Sequence, residues 1–289
     1  MAELEIWDDT PCILGEGPFW HPLRGQLFWF DIVKHRLYTR ENGKHRSWAF
    51  EEHVSAAGWV DETRLLIASE TRLFTFDVES GLRRDVHALE ADNRVTRSND
   101  GRADPWGGFW IGTMGKKAEP GAGAIYRYFK GELRTLYPGI TIPNAICFAP
   151  DQSVAYWTDT KTGVIMRQRL SEADGWPERA PERGLDLSGE SFGPDGAVVD
   201  AEGNLWNAQW GAWRVACYAP DGTFLRAVPA PAAHTSCPAF GGPDLTTLFC
   251  TSALESLSAA DRERSGAHGL TFSAEGIAKG QPEHRVLLD

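Results

Sequence analysis

Four short segments carry the residues best suited to chemistry: Gly15-Glu16-Gly17-Pro18, Arg97-Ser98-Asn99-Asp100-Gly101, Ile142-Pro143-Asn144-Ala145 and Gly193-Pro194-Asp195-Gly196. Each sets a short oxygen-bearing side chain beside Gly or Pro, which fixes the backbone and keeps bulk away. One carboxylate or amide from each of several such segments could hold a hard cation, because such ions take carboxylate and carbonyl oxygens. Taken singly, Asn and Asp beside Gly and Pro are ordinary turn formers. Their meaning depends on whether the chain brings them together.

The elements that would do so are repeated. Apolar runs recur at Leu27-Phe28-Trp29-Phe30-Asp31, Leu65-Leu66-Ile67-Ala68-Ser69, Phe109-Trp110-Ile111-Gly112-Thr113, Ala155-Tyr156-Trp157-Thr158-Asp159, Leu205-Trp206-Asn207-Ala208-Gln209 and Leu248-Phe249-Cys250-Thr251-Ser252. Their third residues are spaced by 38, 44, 46, 50 and 43 positions, near the period of roughly 40–50 residues that marks propeller blades. A second apolar pulse follows each run, and most pulses lead into a turn such as Glu79-Ser80-Gly81 or Pro220-Asp221-Gly222. No amphipathic helix stands out, and the Pro- and Gly-rich stretch 171–184 reads as a loop. The expectation is an all-β chain forming a six-bladed β-propeller, with residues 1–289 as a single domain. A pair of β-sandwiches also gives many short strands but requires no such period.

Closing the ring protects strand edges, and the N-terminal Leu4-Glu5-Ile6-Trp7 is expected to pair in the last blade near His284-Arg285-Val286-Leu287-Leu288. In a propeller the segments entering the innermost strands converge on one mouth of the central channel. The four polar segments share that phase of the repeat.

Composition narrows the partners. The 29 basic against 40 acidic residues give a formal charge of −11, which argues against nucleic acid and against anionic membrane. The acidic N-terminus lacks an apolar signal core, and no uninterrupted apolar stretch is long enough to span a bilayer. Five scattered cysteines without a C-x-x-C pair speak for reduced thiols and a cytoplasmic setting rather than disulfides or a thiolate zinc site. Any metal would be held by oxygens.

The ordered set of Leu14-Gly15-Glu16-Gly17-Pro18, Arg97-x-Asn99-Asp100-Gly101 with Gly112-Thr113-Met114, Pro194-Asp195-Gly196 with Asp200-Ala201-Glu202-Gly203-Asn204-Leu205-Trp206, and Cys237-Pro238-Ala239-Phe240-Gly241-Gly242 resembles the family that groups senescence marker protein 30 (regucalcin) with gluconolactonases and other sugar lactonases. The resemblance implies a metal-dependent hydrolase that opens a sugar lactone to the aldonic acid, with one divalent cation. Glu16, Asn144 and Asp195 would be its ligands, Arg97 and Asn99 would hold the lactone, and Asp195 would also handle the proton. Calcium, magnesium and manganese suit such oxygens, and zinc and ferrous iron also bind carboxylates. A hydrolase of other esters or organophosphates, or a non-catalytic calcium-binding propeller, is the alternative. The oligomeric state is not legible.

Two departures from the family pattern matter. Pro143-Asn144-Ala145 stands where Ser-Asn-Gly or Thr-Asn-Gly is common, and Lys117 stands where regucalcin-like members carry a substrate-contacting Glu. Lys117 could favour a substrate bearing a carboxylate or phosphate, or face solvent; Glu119 is a near neighbour that could substitute. Gly189-Glu190-Ser191-Phe192-Gly193 matches G-x-S-x-G, but Pro194 follows where a nucleophile elbow needs a helix. Trp29, Trp110, Trp157 and Trp206 are expected between blades, Trp20, Trp210 and Trp213 near the mouth, and His234 in a structural role.

Overall fold

The second strand of each blade is rich in apolar residues because both of its faces are covered. Gln26–Asp31, for example, is buried at every position, whereas the outermost strand of the same blade, Lys44–Ala49, is exposed or half-buried throughout. The computed structural model describes residues 2–288, which form six antiparallel four-stranded sheets. This is the six-bladed β-propeller expected from the repeat. The six apolar runs are the second strands: Gln26–Asp31, Arg64–Ser69, Phe109–Gly115, Val154–Asp159, Leu205–Trp210 and Thr247–Ser252.

The core lies in wedges between neighbouring blades rather than at the centre. Phe28, Phe30, Leu65 and Ile67 fill one wedge, Trp110, Phe148 and Trp157 another, and Trp206, Phe240 and Phe272 a third. Trp29 packs with Leu27, Ala239 and Phe249 between the first and last blades. The four strand tryptophans therefore do the packing work expected of them, which frees the channel to be polar.

The innermost strands are Gly15–His21, Val54–Trp59, Thr96–Ala103, Pro143–Phe148, Gly193–Val199 and Thr235–Gly241. Each carries a register shift against its neighbour, between Glu16 and Phe19, Val54 and Ala56, Ser98 and Gly101, Asn144 and Cys147, Pro194 and Ala197, and Thr235 and Pro238. One extra residue bends and twists the strand locally and re-aims side chains. The bulge recurs at the same level of all six blades, and four of the six fall on the polar segments singled out above. Glycine is required at two of them: Gly17 has φ +53° and a Cβ there would meet Ser55 O at 2.2 Å, and a Cβ on Gly196 would meet Cys237 Sγ at 2.4 Å.

The ring closes differently from expectation. Glu5–Asp8 does complete the last blade, but it pairs with Thr271–Ala274, not with residues 284–288. That C-terminal segment crosses the channel end opposite the polar bulges: the Val286 amide donates to Trp59 O and the Leu287 amide to Gly107 O. Val286 and Leu288 are drawn there because they pack in the wedge between the second and third blades. A short helix, Ala259–Arg264, also forms, capped by Ser258, whose side chain accepts from the Asp261 amide. Residues 170–181 lie outside the strands, as the loop reading requires, while 182–184 open the strand Glu182–Asp186. Among the described residues no helix is long and apolar enough to cross a membrane, and all five cysteines are buried and unpaired.

Candidate active site

Glu16, Arg97, Asn99, Asn144 and Asp195 are all buried, and a hydrogen-bonded run links most of them across three blades. Arg97 Nη1 donates to Asn99 Oδ1 and to Ser98 O, each at 2.8 Å. Asn99 Nδ2 donates to Asn144 Oδ1 at 3.0 Å and Pro143 O at 2.9 Å. Asn144 Nδ2 then donates to Thr160 Oγ1 at 2.9 Å, and that hydroxyl donates to Pro194 O at 2.8 Å, beside Asp195. The amide at 144 keeps this place even with Pro143 and Ala145 around it. Ala145 takes a positive φ of 58°, the conformation that glycine would adopt without strain.

Two residues of the centre are absent from the sequence-level set. Asp100, beside Asn99, is a third buried carboxylate, and its Oδ2 accepts from the Ile146 amide at 2.7 Å. Asn207 donates through Nδ2 to Asp195 O at 2.9 Å and Gly196 O at 3.1 Å, pinning the bulge that carries Asp195. A polar residue in the middle of the Leu205-Trp206-Asn207-Ala208 run was the available signal.

Electrostatics at the centre are dominated by crowded, dehydrated carboxyls. Burial pushes Glu16 up to about 8, with Asp100 adding to the effect, while the Gly17 amide and Arg97 oppose it. Asp195 is raised well above the usual carboxylate range by burial and then by Glu16 and Asp100. Asp100 is raised by burial to about 6. Burial lowers the Arg97 value, against the pull of Glu255, Glu16, Asp195 and Glu70. Asp195 Oδ1 is buried without a hydrogen-bond partner, a costly state for a carboxylate oxygen.

Among the described residues no three His, Cys, Asp or Glu side chains form a metal-holding cluster. Two carboxylates with an amide fall outside that pattern. The donors at this place, Glu16, Asn144 and the unpaired Asp195 oxygen, nonetheless fit a hard cation, because every one is an oxygen and one lacks any partner.

Lys117 is exposed and belongs to no hydrogen-bonded run at the centre; its amide donates to Glu119 Oε2 at 3.0 Å. Its neighbour Lys116 is instead tied to Glu70 and donates to Arg94 O at 3.0 Å. Trp20 is not at the mouth. It pairs with Leu27 near the opposite end of its strand and stacks on Phe249 at 5.9 Å. Trp210 stacks on His234 at 4.2 Å, and His234 Nδ1 lies 2.9 Å from Glu255 O, a satisfied structural histidine. Trp213 packs against His268 and lies under Arg264. Strand Gly193–Val199 begins two residues after Ser191, where an elbow would need a helix, so no nucleophile elbow forms.

Comparison with known proteins sets this geometry in context. Residues 14–254 match the family model described as the SMP-30/gluconolactonase/LRE-like region. A pentonolactonase of Haloferax volcanii is 35% identical, covering 96% of each chain. An L-arabinolactonase of Azospirillum brasilense is 35% identical, covering 86% of this chain and 84% of its own. The solved structure of regucalcin from Agrobacterium tumefaciens, described as a calcium-binding protein, has a TM-score of 0.95 at 40% identity and covers 98% of this chain and 96% of that one.

Proposed function

The chain belongs to the SMP-30/gluconolactonase/LRE-like family, and we propose that it hydrolyses a sugar lactone to the aldonic acid with the help of one divalent cation. The observation that carries this reading is the gathering of Glu16, Asn144 and Asp195, with one Asp195 oxygen unpartnered, beside the hydrogen-bonded Arg97 and Asn99. The names of the pentonolactonase and arabinolactonase relatives supply the substrate class.

In this reading Glu16, Asn144 and Asp195 hold the cation, which when bound supplies Lewis acidity toward the lactone carbonyl. Arg97 and Asn99 orient the oxygens of the sugar. Their own hydrogen bonds fix them before substrate arrives, so little ordering remains to be done on binding. Asp195 also takes the proton that must leave the attacking water. Asn207 keeps that carboxyl in place through the bulge backbone. Exposed Lys117 is the residue of the assigned set that could meet an acidic substituent arriving from solvent.

The test is proton release from a panel of aldonolactones by protein stripped with chelator and reloaded with calcium, zinc, manganese, magnesium or ferrous iron singly. Hydrolysis restored by an ion, well above the spontaneous rate, is the expected result. No rate above background with any ion removes lactonase activity and leaves a cation-binding platform. Turnover of aryl esters or phosphotriesters alone moves the function to those substrates.

A further inference from the structure

Beside Arg97 lies a second polar cluster that the proposed chemistry does not use. His53 precedes the inner strand of the second blade, Glu70 follows that blade's second strand, and Lys116 follows the second strand of the third. His53 Nδ1 is 2.7 Å from Glu70 Oε2, and the other Glu70 oxygen takes Lys116 Nζ. The His53 ring also meets the ring of His35, from the first blade, at 4.4 Å. The side chains of His53, Glu70 and Lys116 are 23%, 18% and 32% exposed, so the cluster sits at the boundary between packed protein and solvent, within electrostatic reach of Arg97.

An ionised carboxylate only accepts hydrogen bonds, so Glu70 fixes the His53 proton on Nδ1. Nε2 is then a lone-pair acceptor, and it has no protein hydrogen-bond partner among the described residues. Burial lowers the ring's affinity for a second proton, with His35 and Arg97 adding to the effect and Glu70 opposing it. Glu70 also neutralises Lys116, which prevents this part of the rim from acting as an anion hook. What remains is a ring nitrogen held by Glu70, free to accept and close enough to the Arg97 guanidinium to feel its charge. That chemistry recognises a hydroxyl group.

Resting on the lactonase reading, we infer that His53, held by Glu70, determines substrate specificity: its Nε2 accepts a hydrogen bond from a hydroxyl of the sugar lactone seated against Arg97 and Asn99. A polyhydroxylated lactone gains this bond, and a lactone ring without hydroxyls does not.

The experiment compares an aldonolactone with unsubstituted δ-valerolactone on the metal-loaded full-length protein. His53→Ala is expected to raise KM for the aldonolactone about fivefold to tenfold, the upper range of what one hydrogen bond is worth, with kcat within about threefold. For δ-valerolactone kcat/KM should be unchanged. His53→Gln, whose amide oxygen restores an acceptor, should recover most of the affinity, and Glu70→Ala, which frees the ring, should reproduce the loss. Thermal midpoints of all variants are read alongside. Should His53→Ala be destabilised, the His53→Gln and Glu70→Ala pair decides the matter by the same substrate contrast. Equal losses on both lactones, or an unchanged KM for the aldonolactone, overturn the inference while leaving the lactonase reading intact. A wild-type protein inert toward both lactones overturns the two together.

Discussion

The two ends of the channel both bury charge, and they treat it in opposite ways. At the end crossed by the C-terminal segment, Arg102 is ion-paired with Glu283, and both side chains are only 10% exposed. The same segment is tied down by Gln281 Nε2, which donates to Phe148 O and Val199 O at 3.1 and 2.9 Å, and by Trp59 Nε1, which donates to Glu283 O at 2.8 Å. At the bulged end, Arg97 is the one positive charge facing Glu16 and Asp195, Asp100 is drawn toward Arg102 instead, and one Asp195 oxygen is left without a partner. The chain supplies the counter-charge where it needs only stability. Where it withholds the counter-charge, the local structure is destabilised until something positive arrives, which is the character of a binding centre.

Replacing Asp195 tests that contrast most severely. Asp195→Asn should cut lactone hydrolysis by about 10³-fold, the scale of losing a proton-handling group, measured by proton release with the best ion. The same substitution should raise the thermal midpoint of chelated protein by about 2–5 °C, because it removes a buried carboxyl that must otherwise be held protonated or charged out of water. The sign with pH follows from proton binding. A carboxyl raised on folding holds more protons in the folded than in the unfolded chain, so folding loses stability as pH rises between the two values. For Glu16 that window runs from its ordinary 4.5 to about 8. The chelated wild type should therefore melt progressively lower from pH 5 to 8, and Glu16→Gln should flatten the curve. A saturating divalent ion should flatten it as well. A midpoint that rises with pH over this window, or an Asp195→Asn variant that melts lower than wild type, would remove the claim that the bulged end is short of positive charge.

The opposite end should answer in the opposite sense. Glu283→Ala leaves Arg102 buried and unpaired, a change that costs about 3–5 kcal/mol in such settings, read by urea unfolding. Catalytic turnover per folded molecule should stay within about twofold, since Glu283 lies across the channel from the carboxylates. A variant as stable as wild type would show that the pair contributes nothing, and a selective loss of turnover would show that the two ends are coupled.

Much of the frame was legible because it depends on local pattern. The six second strands declare themselves by short runs that are mostly apolar, since burial on both faces admits few polar residues and those only with partners. The bulges declare themselves through Gly17, Gly101, Pro194 and Gly196, residues needed where a strand must bend close to its neighbour. What stayed hidden depends on contacts between distant segments. Nothing in His284-Arg285-Val286-Leu287-Leu288 says whether it will extend a blade edge or cross the channel; the apolar wedge that receives Val286 decides. Trp20 follows Glu16 by four residues, yet a strand advances about 3.3 Å per residue, enough to carry the indole to the other end. Asp100 lay inside a recognised motif and was overlooked because its neighbour Asn99 had been given the role. His53, Glu70 and Lys116 come from three separate connections, and no spacing along the chain announces their meeting.

Lys117 gives the finest test of what the bulged end recognises. Its ammonium is exposed, on a flexible stem, with its amide held by Glu119. Exposed charges in water interact weakly and are screened over roughly 8–10 Å by salt. Lys117→Ala should therefore raise KM for a uronic acid-derived lactone no more than about threefold at low ionic strength. The difference from wild type should vanish by 0.5 M salt, and a neutral aldonolactone should show no change. A tenfold effect that survives salt would mean that Lys117 folds over a bound acid and loses its water, placing a cation that the centre lacks directly on the substrate. A null result at every salt concentration would leave recognition to the buried residues alone, with Arg97 as the one positive group the substrate meets.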